Sequence, residues 1–117
     1  MTPRTDPSPR TWQVFEYSLD LVRELRSVVA EIARRDRDLP EQVRRAASSV
    51  PLNLGEGNRR CGRDRTYHLR VAAGSAEEVR AALRTAEAWG YVDAASVAPA
   101  LARIDRIVAI LYRATRS

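Results

Sequence analysis

Lysine is missing from this 117-residue chain: all 20 of its basic residues are arginine. Arginine offers phosphate a planar, bidentate fork that lysine cannot, so an all-arginine surface favours nucleic acid. The competing reading is codon bias in a GC-rich genome, which the abundance of alanine also fits. Cysteine is nearly absent too. Cys61 alone excludes an internal disulfide and fits a reducing compartment. His68 is the only histidine, and together with Cys61 it falls short of the ligands a metal site needs. A Cys61–His68 dyad would lack a third, orienting group. Neither GxxxxGK[ST] nor GxGxxG occurs, so no cofactor is implied. No apolar run approaches the ~20 residues that span a bilayer. The opening MTPRTDPSPR has no apolar core and is not a secretion signal. These absences point to a cytoplasmic, non-enzymatic protein with no membrane partner. The acidic residues agree with this, because they are scattered and mostly have an arginine within a turn, as on a solvated helix face.

Hydrophobic residues, at 44%, suffice for a globular core in one domain. Residues 1–10, with three prolines, read as a disordered leader, and residues 11–117 as the domain. Helical spacing begins at Thr11. Trp12, Phe15, Leu19, Val22 and Val29 form one stripe, and Val14, Leu21, Leu25, Val28 and Ile32 a second beside it. Asp38 and Glu41 have the spacing of a capping box, with Pro40 in the first turn of a second helix. That helix carries Val43, Ala47, Val50 and Leu54 on one face. Pro51 sits inside it, where proline costs about 3 kcal/mol in a regular helix, so the helix is expected to kink or break there.

A third helix runs from about Arg63 to Trp89, with Leu69, Ala72, Ala76, Val79, Leu83 and Ala86 as its stripe and Gly90 as its stop. Ala73 and Gly74 alongside that stripe would let a neighbour approach closely. Either Asp93 or Ser96 caps a fourth helix carrying Val97, Leu101, Ile104, Val108 and Leu111, widened by Ile107 and Ile110. Nothing reads as a strand or a repeat. Four amphipathic helices with short connections predict an all-α, antiparallel up-down four-helix bundle. The double stripes of the first and fourth helices leave apolar surface for a homo-oligomeric partner, or simply fill a tight core.

Charge is unevenly placed. Residues 58–70 hold Arg59, Arg60, Arg63, Arg65 and Arg70 against Asp64 alone. Residues 34–45 hold five arginines against three acids. A cluster of the first kind neutralises a few phosphates without reading sequence, or else pairs with acids of a neighbouring helix. Only Tyr67 is interleaved with it, so no stacking platform for single strands is visible. Within the second helix, Arg45, Ser49, Asn53 and Glu56 share a face, which predicts a network joining Arg45 to Glu56 through Asn53.

The stretch QVRRAASSVPLNLGEG (42–57) resembles the signature of small four-helix-bundle proteins encoded within intervening sequences of bacterial 23S rRNA genes. RTYHLRVAAGSAEEVRAAL (65–83) and the WGYVD turn (89–93) are similar to the same family, over residues 11–115 in all. Phe15 replaces the usual Trp, Gly55 the usual Ala, and Cys61-Gly62 is an unusual start to the third helix. The resemblance implies antiparallel bundles, several of which form pentameric rings. A related branch, the accessory protein of diversity-generating retroelements, is a basic ring that binds nucleic acid and a reverse transcriptase. Carried over, Arg44, Arg45, Asn53 and Glu56 match signature positions with a structural or interface role. Arg59, Arg60, Arg63 and Arg65 match a basic but variable region. The expected function is a non-enzymatic oligomer that binds RNA or DNA through arginine, as an accessory to a ribonucleoprotein or reverse transcriptase. The alternative is a protein–protein scaffold.

Overall fold

The computed structural model describes residues 9–116, with side chains from Trp12 onward. The chain forms four helices: α1 (Pro9–Ala33), α2 (Leu39–Asn58), α3 (Gly62–Ala88) and α4 (Ala94–Thr115). No strand occurs among the described residues. The leader expected over 1–10 lies outside them, apart from Pro9 and Arg10, which already belong to α1.

Each helix buries most of a stripe that its spacing marks. Val14, Leu21, Leu25, Val28 and Ile32 of α1 are inside, facing Val43, Ala47, Val50 and Leu54 of α2 and the stripes of α3 and α4 in one core. α1 and α3 each contact both α2 and α4, within overall dimensions of 55 × 22 × 22 Å. The surplus apolar surface is divided differently from expectation. Ile107 and Ile110 of α4 are buried within the molecule. Along α1, Trp12 is exposed and Phe15, Leu19 and Val22 are half-buried, with Val29 alone of that stripe inside.

The start of α2 corrects the expected capping box. Asp38 makes no side-chain cap; Asp36 does that work, its Oδ1 accepting the backbone N–H groups of Asp38 and Leu39 at 2.8 Å each. Glu41 reaches Arg44 instead, one turn along. α2 also continues through Pro51 to Asn58 without interruption. The ring removes the donor that the Ala47 carbonyl would have used, and the flanking packing holds the helix across that gap.

At α4 the open choice resolves to Asp93, whose carboxylate accepts the Ser96 N–H at 2.9 Å and its hydroxyl at 2.6 Å. α3 stops as its glycine predicts. Gly90 takes φ +80°, its N–H reaches the Glu87 carbonyl, and the Tyr91 N–H reaches that of Ala86, both at 2.9 Å. These are the paired bonds of a Schellman stop. Close approach falls to a different glycine from the one expected. Gly74 is exposed, with open space where a Cβ would stand, whereas Gly57 lies against Leu69 and the His68 Cβ.

Candidate nucleic-acid interface

The connection from α2 to α3 carries most of the arginine cluster. α2 ends at Asn58, and its C-cap Arg59 bonds back to the carbonyls of Glu56 and Gly57. Cys61 is extended, and Gly62 opens α3 at φ +63°, a backbone conformation that a side chain would strain. The chain therefore turns sharply, and Arg59, Arg60 and Arg63 are all held outward and exposed.

They are not equivalent. Arg60 bonds Glu56 Oε2 through Nη2 at 2.5 Å and Asp64 Oδ2 through Nη1 at 2.8 Å, so it clasps the last turn of α2 to the first turn of α3. This pairing holds the Glu56 carboxyl below its ordinary range and the Arg60 guanidinium above its own. Arg60 is thus occupied at both ends of its fork. Arg59 and Arg63 show no carboxylate within ion-pair distance among the described residues. Arg65 is half-buried. Arg70 donates to the Thr115 carbonyl at 3.2 Å, satisfying an orphan acceptor at the end of α4. That bond brings the last turn of α4, with exposed Arg113 and Arg116, alongside the early turns of α3. These two arginines belong to the basic end, although they lie some 45 positions from it in sequence.

The network expected on α2 takes another form. Glu56 turns to Arg60, and Arg44 to Glu41, while Arg45 stays exposed on the outer face. Asn53 donates to the Ser49 carbonyl at 2.9 Å and to its hydroxyl at 3.0 Å. Its oxygen faces His68 Nδ1 at 3.0 Å, and the Ser49 hydroxyl meets that of Ser75 at 2.7 Å. Because the Asn53 nitrogen is committed to a carbonyl, its oxygen must accept, which assigns the proton to His68 Nδ1. The result is a polar seam between α2 and α3, with Arg45 and Glu56 outside it. Ser75 and His68 carried no sequence signal for this role, since only the packing of α3 on α2 brings them to Ser49 and Asn53.

Asn58 is buried, and neither polar atom of its side chain has a protein partner. Among the described residues no group of three or more His, Cys, Asp or Glu is placed to hold a metal, and no helix is long and apolar enough to cross a membrane.

A family model described as 23S rRNA-intervening sequence protein matches residues 10–113 of the chain. No curated protein and no solved structure matches it.

Proposed function

Because the chain belongs to the 23S rRNA-intervening sequence protein family, we propose that it is a non-enzymatic, cytoplasmic nucleic-acid-binding protein that works as an oligomer. The observation that carries this reading is the arginine-rich end. Arg59 and Arg63 stand exposed beside a clasp that already neutralises the nearby carboxylates, and Arg113 and Arg116 arrive from α4. Glu56 and Asp64 would otherwise repel phosphate; bound to Arg60, they leave the remaining guanidiniums to act. The surface offers charge without base-edge readers, which suits a backbone or an RNA fold more than a sequence.

The antiparallel up-down arrangement belongs to the same proposal. It is supported by the Tyr91–Asp36 bond, which joins the two interhelical turns of one end, and by the Arg70–Thr115 bond near the other. Oligomerisation is supported by α1 and α2, where Leu52 is 71% exposed and a groove lined by Val22, Leu25, Val29, Val43 and Ala47 is rimmed by Arg26 and Arg44. That surface suits copies of this chain, including the pentameric ring expected from the resemblance, or a protein partner such as a reverse transcriptase. It is also what favours a scaffold role without nucleic acid. Fluorescence anisotropy with labelled RNA and DNA tests the first reading. Binding lost in an Arg59→Ala/Arg63→Ala variant of unchanged oligomeric state supports it; equal binding by that variant refutes the site. A Leu52→Glu variant that stays assembled in light scattering would refute the oligomer surface.

A further inference from the structure

At the end of the molecule away from the α2–α3 turn, two unrelated pieces of sequence meet. Tyr91, just past α3, donates its hydroxyl to Asp36 Oδ2 at 3.1 Å, across 55 positions. The other oxygen of Asp36 is held by two backbone N–H groups. The Tyr91 ring is therefore fixed at its tip as well as by the Schellman stop at its backbone. Trp89 stacks on it, with ring centroids 6.2 Å apart and planes inclined by 14°. The indole is still 69% exposed. A large flat ring is thus held against a second ring with most of its surface in water.

The same clasp sets this pair beside the run Arg34-Arg35-Asp36-Arg37. Its three arginines are exposed and make no side-chain hydrogen bond or ion pair among the described residues, while Asp36 is consumed in the clasp. Arg84 flanks Trp89 in a shallow depression with Thr85 and Ala88, 68% exposed and only loosely paired with Glu87 at 3.4 Å. Asp93, the other nearby carboxylate of the turn, is bound to Ser96. Asp38 remains as an exposed acid. Exposed guanidiniums near a rigid, exposed indole are what an unpaired nucleotide needs: the ring takes the base face and the cations its flanking phosphates.

We propose that this end of the molecule is a stacking site for single-stranded nucleic acid, with Trp89 backed by Tyr91 receiving an unpaired base and Arg34, Arg35, Arg37 and Arg84 receiving the phosphates. The site deepens the nucleic-acid reading, on which it rests, yet shares no residue with the arginine cluster of 59–70. A duplex hides its base faces, so the site selects single strands.

The test uses the full chain with Trp12→Phe, which leaves Trp89 as the sole indole. Short oligouridylate is expected to quench its emission saturably, less so as salt rises, whereas a duplex at equal phosphate concentration leaves it unmoved. Trp89→Ala in the otherwise natural chain is expected to weaken oligouridylate binding about tenfold with its helical circular dichroism intact. Tyr91→Phe keeps the ring, loses the tie to Asp36 and gives a smaller loss. Absent quenching at low salt, equal quenching by duplex, or unchanged affinity of the Trp89→Ala variant each overturns the proposal. A Trp89→Ala variant that changes oligomeric state but not affinity would assign the indole to a protein contact and equally overturns it. Binding that depends on Arg59 and Arg63 while Trp89 stays silent would sink this site and leave the basic end standing. Quenching at Trp89 that ignores Arg59 and Arg63 would do the reverse.

Discussion

Two glycines inside helices carry opposite predictions. Gly74 is exposed in mid-α3, and a Cβ there meets nothing within 4 Å. Gly74→Ala should therefore stabilise by about 0.5–1 kcal/mol through chain entropy and raise the melting midpoint by a few degrees. At Gly57 a Cβ would stand 3.2 Å from the His68 Cβ and 3.3 Å from Leu69 Cδ2. Gly57→Ala should lower the midpoint, because both neighbours are anchored in the α2–α3 seam. Arg60 differs from its neighbours in the same way. Arg60→Ala opens the clasp, so it should lower thermal stability and, by freeing Glu56 and Asp64 to repel phosphate, also weaken nucleic-acid binding. Arg59→Ala or Arg63→Ala should leave the melting midpoint in place and lower the salt slope by about one each. Sequence spacing could identify the cluster but not this division, because Arg60 is distinguished from Arg59 and Arg63 only by carboxylates one turn before and one turn after it in the folded chain.

At the scale of elements, the hydrophobic periodicity carried most of the information. The marked residues of α2 and α3 are all buried, and α4 departs only at the half-buried Leu101. The ends were less legible, because a cap is chosen by backbone geometry within two or three residues. Asp36 and Asp38 are chemically equal candidates, and the one that holds the N–H groups is the one whose second oxygen Tyr91 also reaches. Of the kink or break that Pro51 predicts, the break does not occur. A lone ring in a helix packed on both sides removes one hydrogen bond without ending the helix.

The caps also set a pH dependence. Asp36 lies below its ordinary value of 3.8 because of the Leu39 and Asp38 N–H groups and the Tyr91 hydroxyl, and Asp93 because of Ser96. Glu56 lies below its ordinary 4.5 because of Arg60. A depressed carboxylate stabilises fully above its ordinary value and loses that contribution as pH falls through its lower folded value. Thermal midpoints should thus be flat near neutrality and fall as pH drops below about 4, less steeply at high salt because the groups are exposed. Asp36→Asn should lower the neutral midpoint and flatten the acid limb; an unchanged limb would show that the clasp contributes nothing.

For the whole molecule, the four helices divide surface as well as core. One end collects Arg59, Arg63, Arg70, Arg113 and Arg116 around a neutralised clasp, the other end sets Trp89 among exposed arginines, and α1 with α2 leaves an apolar groove along the side. Each surface combines residues far apart in the chain, which is why the sequence, read locally, exposed one basic cluster and missed both Arg113 with Arg116 and the aromatic pair beside Arg35. On the function proposed, the arginine end neutralises phosphate. Its most direct test is the affinity for labelled RNA across a salt series, for the natural chain and for Arg59→Ala/Arg63→Ala. Log affinity is expected to fall linearly with log salt for the natural chain, with a slope shallower by about two for the variant. A variant slope equal to that of the natural chain, or no binding by either protein at low salt, would contradict it.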